Sequence, residues 1–183
     1  SGISVVIHPY SPKIPAIHMN TRFIVTEKNW FGGGTDITPN NLKSANSIKL
    51  ANYFHDQLKE ICEKYQKGSY LKYKNWCDEY FFLPHRNEPR GLGGIFYDYL
   101  DSKNWQSDFS FTKDVGQTFL NSYINITKKT INLKWNESDK NLQLLRRSRY
   151  TEFNLLHDRG TKFGLQTKGN VDAIFMSLPP STG

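Results

Sequence analysis

The stretch "AIHMNTRFIVT" (Ala16–Thr26) limits what this chain can fold into more than any other. Apolar and polar residues alternate along it: Ile17, Met19, Thr21, Phe23 and Val25 fall on one side, His18, Asn20, Arg22 and Ile24 on the other. A period of two is the signature of a β-strand buried on one face only. Such a strand demands a sheet with a core beneath it and leaves His18, Asn20 and Arg22 pointing together into whatever covers the other face. A second strand is expected over "ISVVIH" (Ile3–His8), and prolines punctuate the connection His8–Pro15.

Helical spacing takes over afterwards. Ala51, Phe54, Leu58, Ile61, Cys62 and Tyr65 form one stripe and predict a helix from Ser44 to Gln66. Trp76, Cys77, Tyr80 and Phe81 predict another over Leu71–Phe82. "HRNEPRGLGG" (His85–Gly94) reads as a loop and "IFYDYL" (Ile95–Leu100) as a strand. Helices follow over Phe109–Lys129 and Ser138–Arg147. "RYTEFNLLH" (Arg149–His157) and "VDAIFMSL" (Val171–Leu178) read as two further strands around the loop "DRGTKFGLQTKGN". Strands and helices do not alternate as βαβ units, so the expected class is α+β with a largely antiparallel sheet. With 183 residues, no internal repeat and no linker-like segment, the chain reads as one domain over 1–183. It starts at Ser1 and stops after "MSLPPSTG", which suggests a piece trimmed at both ends.

"WFGGGTDITP" (Trp30–Pro39) is the most unusual stretch. It has no Gly-Lys-Ser/Thr ending, so it is no Walker loop, and it lacks the G-x-G-x-x-G of a dinucleotide site. Two readings stay open: a structural turn, or backbone left bare so that a ligand can approach while Asp36 projects into it. Asp36 itself suits a helix cap, or a carboxylate that accepts N–H groups or takes a proton. Asp98, Asp101 and Asp158 are further carboxylates whose plainest use is turn chemistry and arginine pairing.

Charge narrows the partners. Lys and Arg number 24 against 17 Asp and Glu, a net +7 with a pI near 9.3, which favours anionic ligands or merely solubilises the surface. The lysines are scattered, but arginines group at Arg86/Arg90 and Arg146/Arg147/Arg149/Arg159, a pattern suited to gripping carboxylates or phosphates. No nucleic-acid motif accompanies them, and the aromatic residues, 14% of the chain, fall largely on helical core faces. Cys62 and Cys77 lack metal spacing and read as reduced, buried thiols. No apolar run approaches the roughly 18 residues that span a bilayer.

Four stretches together resemble one family, the oxygen-dependent coproporphyrinogen III oxidases: "SVVIHPYSPKIPAIHMNTRF", "WFGGGTDITP", "WCDEYFFLPHRNEPRGLGGIFYD" and "RRSRYTEFNLLHDRGTKFGLQTKGNVDAIFMSLP". They occur in the family's order and cover most of the chain. The resemblance implies a large, flat, mainly antiparallel sheet with helices on both sides. It implies oxidative decarboxylation of two propionates of coproporphyrinogen III to vinyl groups, giving protoporphyrinogen IX, with O2 consumed and CO2 and H2O2 released. No organic cofactor is implied. A homodimer is implied, with the 150–183 region near its interface. The compartment would be the cytoplasm in a bacterium and the mitochondrial intermembrane space in a eukaryote. A homologue that binds tetrapyrrole without turnover is the other reading.

Residue by residue, the resemblance makes His18 the proton donor, Asp36 a carboxylate at the centre of the ring, and Asp158 a further catalytic or structural acid. Asn20 and Arg22, with Ser4, match substrate contacts, and Arg22, Arg90 and Arg159 match arginines that grip propionates. Lys168, Gly169 and Asn170 align with another contact segment, where the family often carries Gly-Gly-Arg. A divalent-cation site assigned to bacterial members maps onto His8, His18, His55 and His85, although their spacing matches no metal motif. The alternative is four unrelated polar histidines.

Overall fold

A computed structural model describes all 183 residues. The chain opens with a meander: β1 (Gly2–Ile7), β2 (Ala16–Ile24) and β3 (Trp30–Thr38), each antiparallel to the one before. It then leaves the sheet through α1 (Ala45–Tyr65), α2 (Ser69–Tyr80) and a small hairpin, β4 (Phe82–Leu83) and β5 (Glu88–Pro89). β6 (Gly94–Leu100) returns to pair antiparallel with β3, completing a four-stranded sheet in the order β1-β2-β3-β6. Four helices finish the chain: α3 (Trp105–Thr130), α4 (Glu137–Leu156), α5 (Arg159–Gln166) and α6 (Val171–Phe175). The antiparallel sheet with flanking helices is the α+β architecture expected from the sequence. No helix is long and apolar enough to cross a membrane.

The period-two pattern of β2 does what it predicts. Ile17 and Met19 face the core with Ile37 of β3 and Ile95 and Tyr97 of β6. Leu50, Ala51, Phe54, Leu58 and Cys62 of α1 and Phe111, Val115, Phe119 and Ile126 of α3 close over them. Burial of these side chains, roughly 1.5–3 kcal/mol for each of the larger aliphatic and Phe ones, is the main force holding the sheet. α2 packs along β6. On the opposite face Cys77, Phe81 and Leu83 join Phe96 of β6 and Phe153 of α4 in a second, smaller cluster. That cluster props α4 above the sheet and leaves a space between them. Both cysteines are buried and free, and burial pushes the Cys62 thiol up to about 12.

Three sequence readings need correction. Arg149–His157 is not a strand: α4 runs unbroken to Leu156. Its buried residues Gln143, Arg147, Tyr150, Phe153 and Asn154 keep helical spacing, but three of them are polar, so the apolar pattern seemed to stop early. Val171–Leu178 is not a strand either. Asn170 accepts hydrogen bonds from the Asp172 and Ala173 amides and starts α6, and Asp158 likewise caps α5 inside the expected loop. Finally, the three glycines form no turn, and Asp36 caps no helix: both lie within β3. A Cβ on Gly32 would overlap Asp98 Oδ1 and crowd Arg22, and one on Gly34 would meet the Ile95 carbonyl. The bare backbone makes room for the neighbouring strands and their side chains.

Candidate active site

The polar face of the sheet forms the floor of a cavity of about 980 Å³. Strand register assembles that floor. His18 lies opposite Asp36, Arg22 opposite Gly32, and Ser4 of β1 opposite Asn20. β6 contributes Phe96 and Asp98, two residues apart and therefore on one face. The roof comes from Tyr80 and Phe81 at the end of α2, Tyr150 and Asn154 of α4, the start of α5 from Asp158 to Phe163, and Ala173, Ile174, Met176 and Ser177 in and just after α6. Aromatic side chains (Trp30, Tyr80, Phe81, Phe96, Tyr99 and Tyr150) make the walls largely apolar.

Beneath the floor, Asp36 is 2% exposed. One carboxylate oxygen faces His18 Nδ1 at 2.9 Å, and the other accepts from Arg90 Nη2 at 2.5 Å. Arg90 is itself 2% exposed, with its guanidinium 3.8 Å from the Phe81 ring centroid and 4.5 Å from that of Tyr150. Burial pushes the Asp36 carboxyl up, but the Arg90 charge and the contacts with His18 together outweigh it and hold the carboxyl below its ordinary value. A carboxylate at Nδ1 fixes the proton on that nitrogen, so Nε2 is the open position of the ring. Nε2 has no partner within the chain, and His18 lines the cavity.

Arg22 is also tied to a carboxylate. Its Nε and Nη2 donate to Asp98 Oδ1 at 3.2 and 2.6 Å, and Nη1 donates to Asn20 Oδ1 at 3.1 Å. Asp158 accepts from the Tyr80 hydroxyl at 2.8 Å and from the Thr161 amide at 2.6 Å, so it straps α5 to α2 as well as lining the cavity. Burial, then the Asp158 charge, pushes the Tyr80 hydroxyl up, which keeps it a donor. Arg159 lies over the Tyr80 ring at 4.8 Å and has no carboxylate partner.

The cavity therefore gathers Ser4, His18, Asn20, Arg22, Arg90, Asp158 and Arg159 from across the chain, with Asp36 directly below. Lys168, Gly169 and Asn170 are not brought there. They form the exposed turn between α5 and α6, where Gly169 bonds back to Gly164 and Asn170 caps α6. Nor do the four histidines converge. His8 Nε2 donates to the Ser177 carbonyl, and His55 Nε2 donates to that of Leu92, which removes both as ligand atoms. His85 lies between Glu152 and His157, and His18 is held by Asp36. No three His, Cys, Asp or Glu side chains are placed to hold a metal ion. The residues present do not fit the four-histidine site.

Asp98, Trp30, Tyr80 and Phe96 line the cavity without having been singled out as site residues. The signal for Asp98 and Phe96 lies in "IFYDYL": once β6 is paired with β3, alternation puts both on the face of Gly34 and Asp36.

The family model described as coproporphyrinogen III oxidase matches residues 1–183. The oxygen-dependent coproporphyrinogen-III oxidase of Rickettsia bellii (strain OSU 85-389) is 58% identical over 180 residues, covering 98% of this chain and 63% of that protein. The proteins of the same name from Rickettsia akari (strain Hartford) and Rickettsia rickettsii (strain Sheila Smith) are 57% and 56% identical with the same coverage. The chain thus spans 63% of the length of these relatives.

Proposed function

The chain belongs to the coproporphyrinogen III oxidase family, and on that premise we propose that its cavity binds coproporphyrinogen III for oxygen-dependent oxidative decarboxylation. Each propionate, with one O2 and one proton, becomes a vinyl group, CO2 and H2O2. Two electrons pass to oxygen at each step, and no organic cofactor takes part. The observation that carries this reading is the His18–Asp36–Arg90 arrangement beneath an aromatic cavity. The Arg90 charge and the His18 contact outweigh burial and keep Asp36 a carboxylate, and the carboxylate fixes His18 so that Nε2 is turned to where the ring would bind. Nε2 is the group that moves a proton. Asp36 then acts through His18 instead of touching the ring centre.

The cavity volume lies at the upper end of the about 300–1,000 Å³ usual for organic ligands, as a macrocycle requires. Arg159, the remaining N–H groups of Arg22, and Asn20 and Ser4 are the donors for propionates. We place the working protein in the cytoplasm, since the relatives are bacterial, and propose that it works as a homodimer. The exposed apolar side chains Leu156, Phe163 and Met176 in the 150–183 region are suited to that interface.

The test is anaerobic mixing of the complete protein with coproporphyrinogen III, followed by air, with products separated after oxidation to porphyrins. Vinyl products that require oxygen, and that fall at least a hundredfold in His18→Gln while ring binding persists, support the reading. Binding without vinyl product in the wild type would replace it with a tetrapyrrole-binding role. Loss of turnover with a chelator would restore a metal to the reaction.

A further inference from the structure

Only one carboxylate around the cavity has an oxygen left to offer. Asp36 has both oxygens engaged, by His18 and Arg90, and its side chain is 3% exposed under the floor. Asp158 has both engaged as well, by the Tyr80 hydroxyl and the Thr161 amide. Asp98 differs: Arg22 directs two N–H groups at the same oxygen, Oδ1, and Oδ2 has no partner within the chain. The side chain is 10% exposed and lines the cavity among Trp30, Phe96 and Tyr99.

We infer that Asp98 is the carboxylate that accepts the pyrrole N–H groups of the bound tetrapyrrole. The inference rests on the reading of the cavity as a tetrapyrrole site. A porphyrinogen carries four N–H donors, and in a cavity with aromatic walls an N–H left without an acceptor weakens binding by its full desolvation penalty. A carboxylate with one oxygen held by Arg22 and the other open meets that need. Its charge is already compensated, so the empty cavity does not contain an unpaired buried anion. The contact is also selective. The oxidised porphyrin has the same propionates but only two N–H groups, and its other two nitrogens are acceptors that repel a carboxylate. Asp98 would therefore favour the reduced ring over the oxidised one, a preference a propionate grip cannot supply.

The experiment is anaerobic titration of the complete protein with coproporphyrinogen III and, separately, with coproporphyrin III, read by quenching of tryptophan fluorescence. Asp98→Asn should raise the Kd for the reduced ring about tenfold to a hundredfold and leave that for the oxidised ring within about threefold. Equal weakening of both rings would show that Asp98 acts only through Arg22, and no weakening would show that it makes no contact. Either result overturns the assignment, as does a wild type with no preference for the reduced ring. If Asp98→Asn does not fold, the double variant Asp98→Asn/Arg22→Gln removes both charges together, and the ratio of the two Kd values gives the same answer. A wild type that binds and turns over the reduced ring while the variant keeps its preference defeats this inference alone. A wild type that binds neither ring defeats the proposed function with it.

Discussion

Replacing Arg90 by methionine in the complete protein probes the support of the candidate site directly. Methionine keeps an unbranched stem between Phe81, Tyr150 and Phe153, where the guanidinium lies in the structure. What disappears is the ion pair with Asp36, in which both partners are 2% exposed. Removing one member of a buried pair leaves the other as an uncompensated charge, at a cost of about 3–5 kcal/mol. At about 150–250 residues each kcal/mol moves Tm by about 2–4 °C, and by less in a longer chain, so thermal denaturation should fall by at most about 6–20 °C. The same variant should shift acid unfolding. The lowered carboxyl of Asp36 contributes stability above its unfolded value, and this is lost as pH falls through the lowered folded value. Without Arg90 that loss should begin at higher pH. Removing both charges in Arg90→Met/Asp36→Leu should cost at least about 2 kcal/mol less than the sum of the single changes. A cost below about 1 kcal/mol for Arg90→Met, or simple additivity in the double variant, would refute the buried-pair argument.

Two further outcomes follow from the same geometry. Gly32→Ala should force Asp98 and Arg22 apart and lower stability by about 1–3 kcal/mol, with weaker binding of the reduced tetrapyrrole; unchanged melting and binding would mean that the strand has slack there. The Arg86 hydrogen bonds, with His85 and Arg149, pull the Glu152 carboxyl down to about 2, so its contribution is complete above pH 4.5 and fades between 4.5 and 2. Glu152→Gln should flatten acid unfolding across that window, and an unchanged curve would mean that the cluster adds nothing.

The sheet and the first helices were legible because their signals are local. Alternation in β2 separates His18 from Ile17 without knowledge of any partner, and the stripe on α1 needs only its own spacing. The second half of α4 was not legible, because the polar inward residues that begin with Gln143 in the first half continue there through Arg147 and Asn154, on either side of Tyr150 and Phe153. These meet partners far away in sequence: Gln143 and Arg147 donate to the Pro9 carbonyl, and Asn154 to Ser177. A buried polar residue with a distant partner looks like a surface residue until that partner is in place. The glycines misled for the same reason. Gly32 is small because Asp98, 66 residues later (98 − 32), fills the space beside it.

Arginine clustering was a correct sign that carboxylates would be gripped, but the structure shows that most of those carboxylates are the protein's own. Arg22 holds Asp98, Arg90 holds Asp36, Arg86 holds Glu152, and Arg149 bridges Glu88 and Glu152. Around the cavity, Arg22, Arg90 and Arg159 are balanced one for one by Asp36, Asp98 and Asp158. The net +7 of the chain therefore lies elsewhere, on its outer surface. A polyanion entering this cavity meets aimed N–H donors more than a positive field, and the two have different consequences. A field steers encounter and is screened by salt, whereas directed hydrogen bonds to paired guanidiniums select geometry and are screened far less. If the cavity takes an anionic tetrapyrrole as proposed, the outer charge would speed its approach, and its seating would rest on Arg159, on the free N–H groups of Arg22 and on the open oxygen of Asp98.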